Sequence, residues 1–307
     1  MKRKIFSFIV IYTLVSLEVR SQETLVRELF LKDIREFVVA IGEEKSDTVL
    51  VNGKKKLMTK FNPIGSGLLT YLHVDTIILS NIITARHIID YFKNKGSKEI
   101  YIRPSYADTI STLDYFGIPV PIINFNKSPN TFVYPDSKID LGAIILSSGN
   151  LYYEYSKKLF KKKFRIFPIN SMTSSHLGDL VWICGYPDHI QSSIRNYCIS
   201  TYKPGYIAWI PYKNMKNKDL NHITLIESNA TFGNSGSPVF SLQEKPELIG
   251  ILVAGYEEDN NVFDKSVISN SLIAKSRAGV SLVENAEYIK RFNAYIENEL
   301  KIILKLK

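Results

Sequence analysis

The stretch Thr231-Phe232-Gly233-Asn234-Ser235-Gly236-Ser237-Pro238-Val239-Phe240 constrains this chain more than any other. A serine sits between Gly233 and Gly236, and Pro and an apolar pair follow. Glycine permits positive φ and lets a second backbone come close. A serine acting as nucleophile in acyl transfer needs both. Its hydroxyl must stand clear of the chain, and N–H groups must converge on one spot to hold an oxyanion. Gly233 and Ser235 are the residues placed to donate them. Val239-Phe240 then reads as the start of a buried strand. Taken alone, the stretch is equally a Gly/Asn/Ser loop before a strand.

The rest of a triad is sought upstream. Thr84-Ala85-Arg86-His87 follows the apolar run Thr76-Ile77-Ile78-Leu79-Ser80 and leads into Ile88-Ile89. Asp140 stands at the mouth of the apolar strand Leu141-Gly142-Ala143-Ile144-Ile145-Leu146. The order is His, Asp, Ser, with separations of 53 and 95 residues. Asp136 and Asp114 are rivals for the acid; the strand after Asp140 is expected to bury its carboxylate and orient it against an imidazole. No histidine follows Ser235, which excludes the Ser-acid-His order of an α/β-hydrolase. His-Glu-x-x-His is absent, and no zinc-ligand spacing exists.

These motifs resemble those of the chymotrypsin-like (trypsin-like) serine peptidases. Thr84-Ala85-Arg86-His87 is similar to their Thr-Ala-Ala-His, Asp140-Leu141-Gly142-Ala143 to their Asp-Leu-Ala. Gly233 to Pro238 is similar to their Gly-Asp-Ser-Gly-Gly-Pro. Asn234 and Ser237 look most like the bacterial glutamyl-endopeptidase branch, and the bacterial high-temperature-requirement proteases also carry Asn there. The match spans roughly residues 35 to 285. It implies an all-β fold of two six-stranded antiparallel barrels with N- and C-terminal helices. It implies catalysis by His87, Asp140 and Ser235, an oxyanion hole from Gly233 and Ser235, and no cofactor or metal. By the same resemblance Asn229 floors the primary pocket and Thr231 and Phe232 line it. Val253, Ala254 and Gly255 lie on the strand that pairs with substrate backbone. Leu252 stands where the glutamyl branch has a histidine, so an uncharged P1 residue is expected. Asn234 replaces the Asp that pairs with a freshly cut N-terminus in many members, so no such activation switch is expected. A fold whose triad is silent, acting as a peptide- or surface-binding module, is the alternative function.

Residues 1–21 read as a signal peptide. Lys2, Arg3 and Lys4 precede an apolar run from Ile5 to Leu17, too short for a comfortable membrane span. Val19 and Ser21 fit the −3 and −1 sites of cleavage before Gln22; an uncleaved anchor is the alternative. The net charge is +9, and the segment's four cations and one Glu take +3 with them, leaving +6. That is mildly basic and does not indicate nucleic acid. The expected product is a secreted or periplasmic monomer acting on polypeptides, with no stable membrane insertion.

Apolar spacing through Val26, Leu29, Phe30 and Ile34 predicts a helical extension over 22–36, or a propeptide. The peptidase domain is expected over 37–283, with barrel 1 at about 37–150 and barrel 2 at about 165–283. Gly65-Ser66-Gly67 resembles the family's entry to the strand before the histidine. Residues 104–139 hold several Pro and Asn and are expected to include a long surface loop. The basic run Lys157 to Arg165 reads as a solvated link between barrels, with an anionic-surface patch as its alternative. Tyr197–Thr201 and Tyr206–Trp209 read as separate strands. Cys184 and Cys198 are either a disulfide or two buried thiols. Ser281-Leu282-Val283-Glu284 fits a capping box opening a C-terminal helix over 284–307, docked on the second barrel. No room remains for an appended PDZ domain.

Overall fold

The structure, a computed structural model, describes residues 28–51, 54–104, 117–123, 128–146, 167–168, 176–187, 200–211, 220–228, 231, 233–242, 246–262 and 272–305. The signal segment, the run 157–165, Cys198, Asn229 and Phe232 lie outside them.

Two antiparallel sheets make up the body. The first contains β1 (Val38–Val51), β2 (Lys54–Val74), β3 (Ile77–Ala85), β4 (Glu99–Pro104), β5 (Ile118–Pro121), β6 (Thr131–Val133) and β7 (Leu141–Ile145), ordered β5-β4-β1-β2-β3-β7-β6. The second is a closed barrel of β8 (Leu180–Gly185), β9 (Thr201–Trp209), β10 (Ile223–Glu227), β11 (Pro238–Leu242), β12 (Pro246–Val262) and β13 (Leu272–Asn285), ordered β10-β13-β12-β11-β8-β9. This is the chymotrypsin-like double-barrel architecture. The first sheet has seven strands and curls until its two ends meet in one bridge, Ile123 to Pro129. Within the stretch 104–139, expected to include a long surface loop, β5 and β6 are short strands, while 105–116 and 124–127 lie outside the described residues. The strand expected at Tyr206–Trp209 extends back to Thr201, while 197–199 lie outside the described residues.

Burial follows the position of each strand. In β9, Gly205 and Ile207 are buried while Pro204, Tyr206 and Ala208 are exposed, the period of two of a one-sided strand. β3 starts exposed at Ile77 and Ile78, then buries every residue from Asn81 to Ala85. Its end runs between the barrels and is covered on both faces.

Helices pack against the sheets, and two of them bridge both. Residues 28–35 form α1, whose Ile34 is fully buried. Its Arg35 Nε donates to Ser200 Oγ at 2.8 Å, and Tyr202 Oη donates to the Leu31 carbonyl at 2.5 Å. α2 (Arg86–Asn94) leaves β3 and buries Ile88, Ile89 and Phe92. α3 (Ala286–Leu304) buries Ile289, Phe292, Ile296 and Leu300, an i, i+3/i+4 stripe. Burying each such side chain is worth about 1.5–3 kcal/mol. The stripe joins the core cluster that contains the first sheet, and the rings of Phe292 and Tyr134 stand 5.5 Å apart. His73 N–H also donates to Glu297 Oε1 at 2.9 Å. So α3 follows the second barrel in sequence but docks on the first as well.

The capping-box expectation is corrected. Residues 281–284 are strand, and α3 starts at Ala286 with Asn285 as its N-cap, Oδ1 accepting the Tyr288 N–H at 3.4 Å. Ser281 Oγ instead donates to the Ser228 carbonyl at 2.7 Å, and Glu284 has other partners.

Candidate active site

His87 is the second residue of α2. The preceding Ala85 has no side chain able to cap, so the helix takes its cap from elsewhere. Asp140, just before β7, supplies it. The Asp140 carbonyl accepts the Arg86 N–H at 3.1 Å, and Asp140 Oδ1 accepts the His87 N–H at 2.9 Å. Asp140 Oδ2 then lies 2.7 Å from His87 Nδ1. A carboxylate only accepts, so Nδ1 carries the proton and the neutral ring keeps its lone pair on Nε2. Gly142 makes the approach possible: a Cβ there would sit 3.2 Å from Arg86 Cα and 2.8 Å from an Ile89 side-chain carbon.

One expectation changes. β7 is buried throughout, yet the Asp140 side chain is 32% exposed and His87 49%. Hydrogen bonds to the helix start, rather than burial, orient this carboxylate. Of its rivals, Asp136 caps its own turn, with Oδ1 accepting the Lys138 N–H at 3.0 Å, and Asp114 lies outside the described residues.

Ser235 sits in a loop of two tight turns. Gly233 has φ 85° and Gly236 φ 82°, a conformation glycine adopts without strain. Asn234 N–H donates to the Thr231 carbonyl at 3.1 Å and Ser237 N–H to the Asn234 carbonyl at 2.9 Å. Gly236 N–H donates to the Leu252 carbonyl at 2.7 Å. Among the described residues, no backbone acceptor takes the Gly233 or Ser235 N–H, the pair expected to hold an oxyanion. Asn234 is buried and its Nδ2 donates to Thr231 Oγ1 at 3.1 Å.

Ser66, in β2, connects the two halves. Its N–H donates to the Ser235 carbonyl at 2.8 Å. Its Oγ donates to the Gly233 carbonyl at 3.0 Å and accepts the Tyr186 N–H at 2.9 Å. Its carbonyl accepts Thr84 Oγ1–H at 2.7 Å. Thr84 opens the histidine motif, so the histidine and serine stretches meet at one buried residue. Neighbouring Gly65 lies between Ile88 and Ser235: a Cβ there would stand 2.2 Å from an Ile88 methyl and 3.0 Å from the Ser235 carbonyl oxygen. The α2 helix bearing His87 and the Ser235 turn thus flank one glycine. The signal for Ser66 was its Gly-Ser-Gly setting, which marked a strand entry without revealing what the serine binds.

The expected substrate strand carries a β-bulge. Leu252 pairs with Val283 and Ala254 with Leu282, leaving Val253 as the extra residue. Leu252 and Val253 are therefore both buried, while Ala254 is exposed and Gly255 half-exposed. Leu252 belongs to the inner core of the second barrel with Val181, Ile183 and Ile226. β11 pairs with β12 only as far as Ile251. Thr231 is half-buried at the start of the loop.

No family model matches the chain. No curated protein matches it either. Solved structures similar to it include the apo MamO protease domain from Magnetospirillum magneticum, at 12% identity, covering 84% of this chain and 96% of that one, TM-score 0.46. Others are the inactive form of the Rv3671c protease, at 12% identity, 86% and 90% coverage and TM-score 0.42, and a serine-to-alanine variant of Rv3671c from M. tuberculosis H37Rv, at 12% identity, 89% and 92% coverage and TM-score 0.45.

Proposed function

We propose that this chain is an exported serine endopeptidase. The observation that carries the reading is the doubly held His87–Asp140 pair beside a Ser235 loop anchored through Ser66. Ser235 Oγ attacks the scissile carbonyl as His87 Nε2 takes its proton. The oxyanion is held by the Gly233 and Ser235 N–H groups. His87 then protonates the leaving amine, giving an acyl-enzyme and the free C-terminal fragment. Water, deprotonated by His87, hydrolyses the acyl-enzyme and restores Ser235. Asp140 keeps the ring in the Nδ1–H tautomer and stabilises its cation.

The substrate is a polypeptide in extended conformation. The edge of β12 beyond Ile251 suits backbone pairing at Val253, Ala254 and Gly255. The family resemblance assigns Asn229, Thr231 and Phe232 to the primary pocket. Asn234 and Ser237 follow the glutamyl-endopeptidase pattern, but Leu252 supplies no charge for an acidic side chain, and an unpaired buried carboxylate is costly. Peptides with Glu and Gln at P1 should differ by less than roughly 100-fold in kcat/KM, about 2.7 kcal/mol. A larger preference for Glu would reveal a charge-binding group in the pocket. The working form is a monomer with neither cofactor nor metal, released from residues 1–21 outside the cytoplasm. N-terminal sequencing of exported protein tests that release.

The deciding experiment is labelling by a fluorophosphonate probe. Wild type should take up one probe per chain at Ser235, and Ser235→Ala none. Failure of folded wild type to label would leave the binding-module reading. Because Asn234 is already engaged with Thr231, a chain starting at Gln22 should label equally with or without an added N-terminal tag.

A further inference from the structure

A second histidine–carboxylate pair lies behind the first. His222 Nδ1 stands 2.7 Å from Glu284 Oε2, with side chains 9% and 1% exposed. The other oxygen, Glu284 Oε1, accepts the main-chain N–H of Asp140 at 2.8 Å. Asp140 thus has all four polar groups fixed. Its carbonyl and both carboxylate oxygens are held by Arg86 and His87, from the first barrel's helix. Its N–H alone is held from the second barrel.

The register explains how Glu284 reaches so far. Along β13, Val283 faces the inner core of the second barrel. Leu282 packs against the core that includes the first sheet. Side chains alternate along a strand, so Glu284 shares the face of Leu282 and looks toward the first barrel. Ile223 pairs with Glu284 across β10–β13, which brings His222 alongside. The His222 carbonyl accepts the Asn285 N–H at 2.9 Å, and Asn285 Nδ2 donates to the Asn221 carbonyl at 3.1 Å.

We propose that Glu284, oriented by His222, is a positioning residue that holds the main chain of Asp140 from the second barrel and so sets the aim of His87. It touches neither substrate nor nucleophile. A buried carboxylate beside Asp140 is a costly way merely to fill space, because like charges and desolvation both oppose it. Burial indeed raises the Glu284 pKa, while the His222 and Asp140 N–H hydrogen bonds oppose that shift. What the carboxylate offers over an apolar residue is two acceptors aimed in opposite directions. One meets an imidazole of its own barrel, the other an amide of the opposite barrel.

The inference rests on the peptidase reading, and the test separates the two. Glu284→Met keeps volume and removes both acceptors. Glu284→Gln keeps an amide oxygen for the Asp140 N–H and an amide nitrogen for His222. The double variant Glu284→Met/His222→Phe replaces the pair by apolar groups, which often restores stability. Each full mature chain is titrated with a fluorophosphonate probe, kcat and KM are measured per titrated site, and the Nδ1 proton resonance of His87 is followed by NMR. Glu284→Met should lose roughly 10- to 100-fold in kcat with KM little changed, as expected for a small misplacement of a catalytic group. Its His87 resonance should shift or broaden. Glu284→Gln should return to within about threefold of wild type, and the double variant should stay slow even where its Tm recovers. The proposal is overturned if Glu284→Met keeps kcat per titrated site and loses only Tm or titre. It is equally overturned if Glu284→Gln falls as far as Glu284→Met. If folded wild type fails to label, the peptidase reading fails, and the His87 resonance still decides whether Glu284 positions that ring.

Discussion

The molecule contains two histidine–carboxylate pairs of the same length and opposite surroundings. His87–Asp140 and His222–Glu284 both span 2.7 Å. The first is half open to solvent, the second nearly sealed. A pair that passes protons to a substrate must be reachable, and its imidazole must keep one nitrogen free. A pair that holds the backbone gains from burial, because a hydrogen bond in low dielectric resists exchange with water. Distance alone would not tell them apart. Exposure, and what each carboxylate's remaining oxygen binds, does: Asp140 returns to the helix that carries its own histidine, while Glu284 reaches across to the other barrel.

The sharpest break is to remove each imidazole. His87→Ala should lose about 10⁴- to 10⁶-fold in peptidase turnover with little change in Tm, since the ring is half exposed. His222→Ala should show the reverse emphasis, a clear fall in Tm with a much smaller kcat loss, because it strands a buried carboxylate. Equal losses of activity in the two would dissolve the distinction. Next comes Asp140→Asn, which keeps the shape but leaves Nδ1 facing an amide. A loss of roughly 10⁴-fold in kcat is expected, with probe binding geometry intact by crystallography. Full activity would remove Asp140 from the triad.

Ser66→Ala tests the link between the halves. It leaves the Tyr186 N–H without its acceptor and frees the Gly233 carbonyl. Thermal unfolding should report a loss of about 1–3 kcal/mol, and the rate of probe labelling should fall with it as the Ser235 loop loosens. Unchanged labelling would show that the loop holds its shape without Ser66. The smallest effect is the pH dependence of stability. The Glu284 carboxyl is raised above its ordinary 4.5, so the folded chain binds that proton more tightly than the unfolded chain does. Its contribution is then fully present below 4.5 and is lost as pH rises through the folded value. The charged and titratable groups that act on it are His222 and Asp140, and its own charge is felt by Tyr134. The stability of Glu284→Gln relative to wild type should therefore grow as pH climbs above 4.5 and then level off. Parallel urea midpoints at every pH would contradict the assignment.

How far the site could be read depends on the range of the contacts. His87, Asp140 and Ser235 each sit in a short motif whose local geometry is nearly self-contained: a helix start, a strand mouth, a two-glycine loop. Their meaning survives without knowledge of the fold. Glu284 shows the opposite. Ser281 and Glu284 have the spacing of a capping box, and Asn285 took that role because β13 runs on through Glu284, in register with Ile223 and Ile251, to Asn285 opposite Gly250. Nothing within a few residues of Glu284 records that register. His222 carries no local signal for the same reason: its partner is 62 residues away.

The chain's own pattern of short apolar runs and punctuating Gly, Asn and Pro determined an all-β body, its approximate halves and the three residues proposed for catalysis, because those features are written over distances of a few residues. Tertiary structure decided the rest. It made α3 a brace on the first sheet, and it turned Ser66 into the meeting point of the His87 and Ser235 stretches. It set the exposure of one imidazole and the burial of the other. These outcomes depend on strand register and on which face of each strand meets the opposite barrel, and a single-residue slip would have sent Glu284 into the core and Val283 toward Asp140.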